Sequence, residues 1–177
     1  VQSAYSGKKS NQKIAYFQES LRRLTHIGHD MSQLDEEKCL YIAHYEAKIY
    51  YQIGVIWMNF DQNIEPSSID KAFEAFENAK ASYDAFRHFY SLTRLEQFIR
   101  KTYALHPRFS DFDEYSPLAR LISIQYNLLC CAQEFNGSVD DKTMLLDLEQ
   151  LLALQCDPEN SASYHTIQEV TYKIQQF

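Results

Sequence analysis

The sequence predicts an all-α fold of about seven helices packed as antiparallel pairs, and three observations carry that expectation. Apolar residues recur at steps of three and four in one segment after another, the spacing that lines one face of a helix. No run alternates apolar and polar residues well enough to compete as a strand. With 4 Gly and 4 Pro in 177 residues, the chain is poor in the turn formers that a β-sandwich or barrel requires. Hydrophobic residues at 45% and charged residues at 23% place it with globular rather than disordered chains, and the length suits one domain. Residues 1–12 read as a polar, flexible lead-in and 13–177 as a single all-helical domain.

The first helix is carried by Ile14, Phe17, Leu21 and Leu24, and Gly28 can end it. Ser32 and Asp35 suit the start of the next, as a side-chain cap and an acid near the positive helix end. In that helix Leu40, Ala43, Ala47, Tyr50, Gly54 and Trp57 form one stripe, and Ile42, Ile49, Ile53, Ile56 and Phe60 form a second beside it. A helix apolar over so much of its circumference is sandwiched between neighbours. Asp61, Asn63 and Pro66 break it over 61–67.

A third helix starts near Ser67 or Ser68 and carries Ala72, Ala75, Phe76, Ala79, Tyr83 and Phe86, with a restart offered by Ser91, or by Thr93 and Glu96. Residues 106–115 read as a loop, and Ser116–Pro117 is a strong start signal for a helix reaching about Phe135, before Asn136–Gly137. Further helices cover about 139–155 and the residues after Asp157–Pro158.

The formal charge is −7, from 17 basic and 24 acidic side chains, which disfavours a nucleic-acid partner for the chain as a whole. The distribution is uneven. Residues 80–108 carry 6 basic and 2 acidic side chains, whereas 109–177 carry 3 and 11. Arg87, Arg94, Arg100, Lys101 and Arg108 form a basic patch interleaved with Phe86, Phe89, Tyr90, Phe98 and Tyr103. It reads as a solvated face near the acidic third, or as a docking patch for an acidic peptide or RNA.

Cys39, Cys130, Cys131 and Cys156 include no C-x-x-C pair, so the expectation is core thiols in a reducing compartment such as the cytoplasm. No apolar run approaches the ~20 residues needed to span a bilayer. The chain opens on Val1 without a signal-type apolar stretch, which leaves a targeting segment ahead of it open.

Tyr50, Ile53, Gly54 and Trp57 resemble the first helix of a tetratricopeptide repeat, and Ala72, Phe76 and Ala79 have the small–aromatic–small spacing of its second. The resemblance spans about 40 residues and departs from the pattern in two ways: the 61–67 turn is about six residues too long, and Asp84 stands where the closing proline belongs. No second copy follows at the 34-residue period. The resemblance implies a right-handed array of helical pairs, and an irregular helical bundle is the alternative. It also implies a peptide-binding groove on the other face of the first helix, lined by Lys48, Tyr51, Val55 and Met58. Tyr51 and Val55 occupy the places where some of these repeats carry a carboxylate clamp, so an apolar or helical ligand is expected instead.

Motifs for chemistry are sparse. His26, His29 and Asp30 cluster near Gly28, with His44 one helix away, and offer a possible metal set. His26 also suits the negative end of its helix as a simple charge. There is no Glu-x-x-His pair, no His-Glu-x-x-His, no phosphate-cradling glycine loop and no nucleophile elbow. Asp111, Asp113 and Glu114 lack the glycine and final glutamate of a calcium loop. The expectation is therefore a non-catalytic scaffold or adaptor without cofactor, binding a peptide or helix of a partner protein or a second copy of itself. The alternative is a helical-bundle enzyme or metalloprotein built on His26, His29 and His44.

Overall fold

A computed structural model of the protein describes residues 2–28, 36–84, 94, 97, 117–134 and 146–150, and among these every regular element is helical. The helices are α1 (Gln2–Gly28), α2 (Glu36–Met58), α3 (Ser68–Tyr83) and α4 (Pro117–Glu134). With a helical stretch at 146–150, five helices fall among the described residues where about seven were expected. The expected helix beyond Ser91 is described only at Arg94 and Gln97, both helical, and the one after Asp157 lies outside the described residues.

α1 corrects the expected lead-in. It is helical from Gln2, because the stripe of Ile14, Phe17, Leu21 and Leu24 continues backwards at the same spacing through Ser10 and Gly7. All six of these positions are buried or half-buried, whereas Lys8, Lys9, Asn11, Gln12 and Lys13 between them are exposed. α1 runs back along α2, with Gly7 against Phe60 and Ile64 at one end and Phe17 near Gln52 and Ile56 further along.

α2 and α3 form an antiparallel pair whose register is written in side chains. His44 meets Tyr83, Tyr51 and Gly54 meet Phe76, and Trp57 meets Lys71. The connection between them is ordered by local bonds. Asp61 Oδ1 accepts from the Asn63 amide at 2.9 Å, an Asx turn, and the Ile64 and Glu65 amides both donate to the Asp61 carbonyl. Ser67 does not cap α3 with its side chain; its hydroxyl donates to the Glu65 carboxylate, which also holds Lys71 at 3.1 Å. Lys71 Nζ in turn lies 4.6 Å from the centre of the Trp57 ring, so one residue ties the loop to both helices.

Gly54 is where this pairing is closest. A methyl group there would stand 2.6 Å from Phe76 Cε1 and 2.8 Å from two further ring carbons. Phe76 is fully buried and encloses the gap, so the ring has nowhere to retreat. Gly54→Ala gains roughly 1 kcal/mol of helix propensity but overpacks the seam at a cost of about 1–3 kcal/mol. The expected outcome is a lowered denaturation midpoint, with part of the loss recovered in Gly54→Ala/Phe76→Leu. By contrast, a methyl on Gly7 would meet Phe60 at an ordinary 3.6 Å.

α3 also packs against α4, which is the helix most enclosed among the described residues. Leu121, Ile122, Ile124, Leu128, Leu129 and Cys131 join Ala72, Phe76, Ala79 and Tyr83 in one core cluster, completed by Leu148. Lys80 on α3 reaches Asp147 at 3.5 Å beside it. No described helix is long and apolar enough to cross a membrane.

Candidate functional site

Among the described residues, two buried basic side chains, His44 of α2 and Arg120 of α4, lie near one another in the core beside Tyr83 of α3. His44 is 2% exposed and its Nδ1 lies 2.5 Å from the Tyr83 hydroxyl. Burial drives its pKa down from the ordinary 6.5 to about 3, and the nearby charges of Arg120 and Lys48 push in the same direction. At neutral pH the imidazole is therefore uncharged, and Tyr83 can donate to Nδ1. Arg120, in the first turns of α4, is 8% exposed and places its guanidinium carbon 4.6 Å from the centre of the Tyr51 ring. Tyr51 thus meets both Arg120 and the Phe76 ring, whose centre lies 5.8 Å from its own.

This arrangement decides what these groups can do. A histidine held neutral down to about pH 3 is a poor proton acceptor at neutral pH, and its Nδ1 is committed to Tyr83. The cluster joins His44 and Tyr51 of α2 to Tyr83 and Phe76 of α3 and to Arg120 of α4. His26 is exposed in the last turn of α1, His44 is buried, and His29 lies outside the described residues. The described residues bring together no group of three His, Cys, Asp or Glu. Cys39, Cys130 and Cys131 form no disulfide among the described residues, and burial pushes Cys131 up to about 12, so it stays protonated.

The four residues expected to line a peptide groove, Lys48, Tyr51, Val55 and Met58, are all half-buried. Tyr51, Val55 and Met58 pack against the core cluster, and Arg120 of α4 lies over the first of them. Of the basic patch, Arg94 is half-buried, and Arg87, Arg100, Lys101 and Arg108 lie outside the described residues.

Open apolar surface is found along α1, where it faces α2 and the turn that follows α2. One groove, of about 640 Å³, has Ala15, Phe60 and Ile64 in its wall, with Gly7 and Lys8 at its end. The other, of about 500 Å³, lies between Lys9, Lys13, Tyr16 and Phe17 of α1 and Gln52 and Ile56 of α2. Tyr16 is 71% exposed and meets the Phe17 ring edge-on at 5.9 Å. Of the α1 residues here only Phe17 stands in the stripe read from the sequence; the others fall in the expected lead-in or off that stripe. The signal that could have found them is the backward extension of the Ile14 stripe to Gly7.

Compared with protein-family models, curated proteins and solved structures, the chain matches none.

Proposed function

We propose that this chain is a non-catalytic helical interaction module, with a tetratricopeptide-like hairpin in α2–α3, that holds a peptide or helix of a partner protein along the α1–α2 seam. The observation that carries this reading is the pair of grooves flanking α1, which leave aromatic and aliphatic side chains facing solvent in a concave setting. Aromatic anchors in such a setting are where binding energy concentrates. The close approach of Gly54 to Phe76, with Ala72 and Ala79 alongside, supports the likeness to the repeat. The described cysteines, which form no disulfide among themselves, suit a reducing compartment.

The test is affinity capture from a lysate of the source cell with wild-type and Tyr16→Ala baits. Tyr16 is the residue to change because it is exposed, whereas Tyr51 packs the core and its loss would mix folding with binding. A partner recovered near one-to-one with wild type and lost with Tyr16→Ala is the expected result. Identical recovery with both baits, or none with either, counts against the reading.

A further inference from the structure

α1 differs in charge from the rest of the chain. Gln2–Gly28 contains Lys8, Lys9, Lys13, Arg22 and Arg23 against the single acid Glu19, within a protein whose net charge is −7. Glu19 is shared by Arg22 at 2.8 Å and Arg23 at 3.0 Å, and their hydrogen bonds hold its carboxyl down to about 2. Lys8, Lys9 and Lys13 have no such carboxylate among the described residues, and all three are exposed.

Their placement on the helix is specific. Lys9, Lys13 and Tyr16 follow each other at steps of four and three, so they form a stripe beside the buried one, rotated by about 100°. That stripe is one wall of the groove whose other wall carries Gln52 and Ile56, with half-buried Phe17 in between. The groove therefore has Phe17 and Ile56 in its interior and, on the α1 side, a positive rim one helical turn long, about 6 Å from Lys9 to Lys13, with Tyr16 a turn beyond. Like charges at i and i+4 repel one another on a helix surface, and an approaching carboxylate at matching spacing removes that repulsion.

Resting on the reading above, we propose that this groove takes an acidic amphipathic helix of a partner protein, with carboxylates toward Lys9 and Lys13 and an apolar stripe toward Phe17 and Ile56. A helix is the occupant that fits because the groove follows α1, with Phe17 and Ile56 half-buried beside the exposed Lys9, Lys13 and Tyr16. A bilayer surface requires the apolar side chains to protrude, and here only Tyr16 does.

The experiment measures anisotropy of labelled peptides of about 18 residues against the full chain. One probe is an amphipathic helix with a leucine stripe flanked by Glu, the second replaces Glu with Lys, and the third replaces Leu with Ser. The first is expected to saturate and to bind at least about tenfold more tightly than either control, weakening as salt rises from about 50 to about 300 mM. Lys9→Glu/Lys13→Glu, which alters only exposed side chains and leaves the helical circular dichroism unchanged, weakens it by about tenfold or more. Equal binding of the acidic and basic probes, indifference to the double reversal, or no binding overturns the proposal. So does preferential binding to vesicles of anionic phospholipid, or a doubling of mass in solution that the double reversal abolishes. If no probe binds while capture still yields a Tyr16-dependent partner, the interaction reading stands and only the acidic helix falls. If both are negative, both fall.

Discussion

Phe76→Ala is expected to cost about 3–5 kcal/mol of folding stability, the usual range for emptying a fully buried phenylalanine site. The ring is completely enclosed and is the one large side chain in α3 flanked by two buried alanines, Ala72 and Ala79. Its removal leaves a void bounded by Gly54, which has no side chain to fill it, and by Tyr51, which Arg120 also contacts. Neither neighbour can close the gap cheaply, so the cost falls toward the upper part of the range. Domains of this kind have only about 5–15 kcal/mol to lose, so this one ring accounts for a large share of the total. Urea denaturation followed by circular dichroism measures it. Phe76→Leu, which refills most of the volume, is expected to cost less than half as much. A Phe76→Ala loss below about 1 kcal/mol would mean that α2 and α3 do not meet at this seam.

Acid sensitivity is the second large effect, and His44 is its source. In the unfolded chain the imidazole takes a proton near pH 6.5, whereas in the folded protein it resists until about 3. Above pH 6.5 it is neutral in both states and adds no pH dependence. As pH falls below 6.5, the unfolded state binds a proton that the folded state refuses, so stability drops by about 1.4 kcal/mol per pH unit. By pH 5 the loss from this group is about 2 kcal/mol, and by the folded pKa it is about 4–5 kcal/mol. Protonation inside the fold would set a charge beside Arg120 and Lys48 and compel Tyr83 to switch from donor to acceptor. His44→Gln isolates the effect, since it keeps a polar partner for Tyr83 but does not titrate. Denaturation curves between pH 4.5 and 7.5 should show wild type ahead at pH 7 and losing that lead as the pH falls. Parallel curves for the two proteins would remove His44 as the cause.

Much of the helical content was legible because it depends on neighbours in sequence. Pro117 and Gly28 stand at the described ends of α4 and α1, and Asp61 and Asn63 break the chain after α2. The pairing of α2 with α3 was also legible, since Gly54, Ala72, Phe76 and Ala79 present a small-against-large fit at helical spacing. The first half of α1 was missed because Gly7 and Ser10 carry the buried stripe with small and polar residues, which an apolar pattern passes over. The groove assigned to Lys48, Tyr51, Val55 and Met58 rested on the outer face of one hairpin. It could not anticipate a guanidinium arriving from Arg120.

By itself, then, the sequence determined where helices form and which of their faces seek burial, because periodicity, caps and breakers act within a few residues. Only the tertiary structure decided which polar groups are enclosed and which apolar ones stay open. His44 is buried because Tyr83, 39 residues on, and α4 close over it. Tyr16 remains exposed because α1 touches its neighbour along one narrow stripe and leaves both flanks to solvent. Desolvation depends on every element that surrounds a side chain, and no local pattern records that.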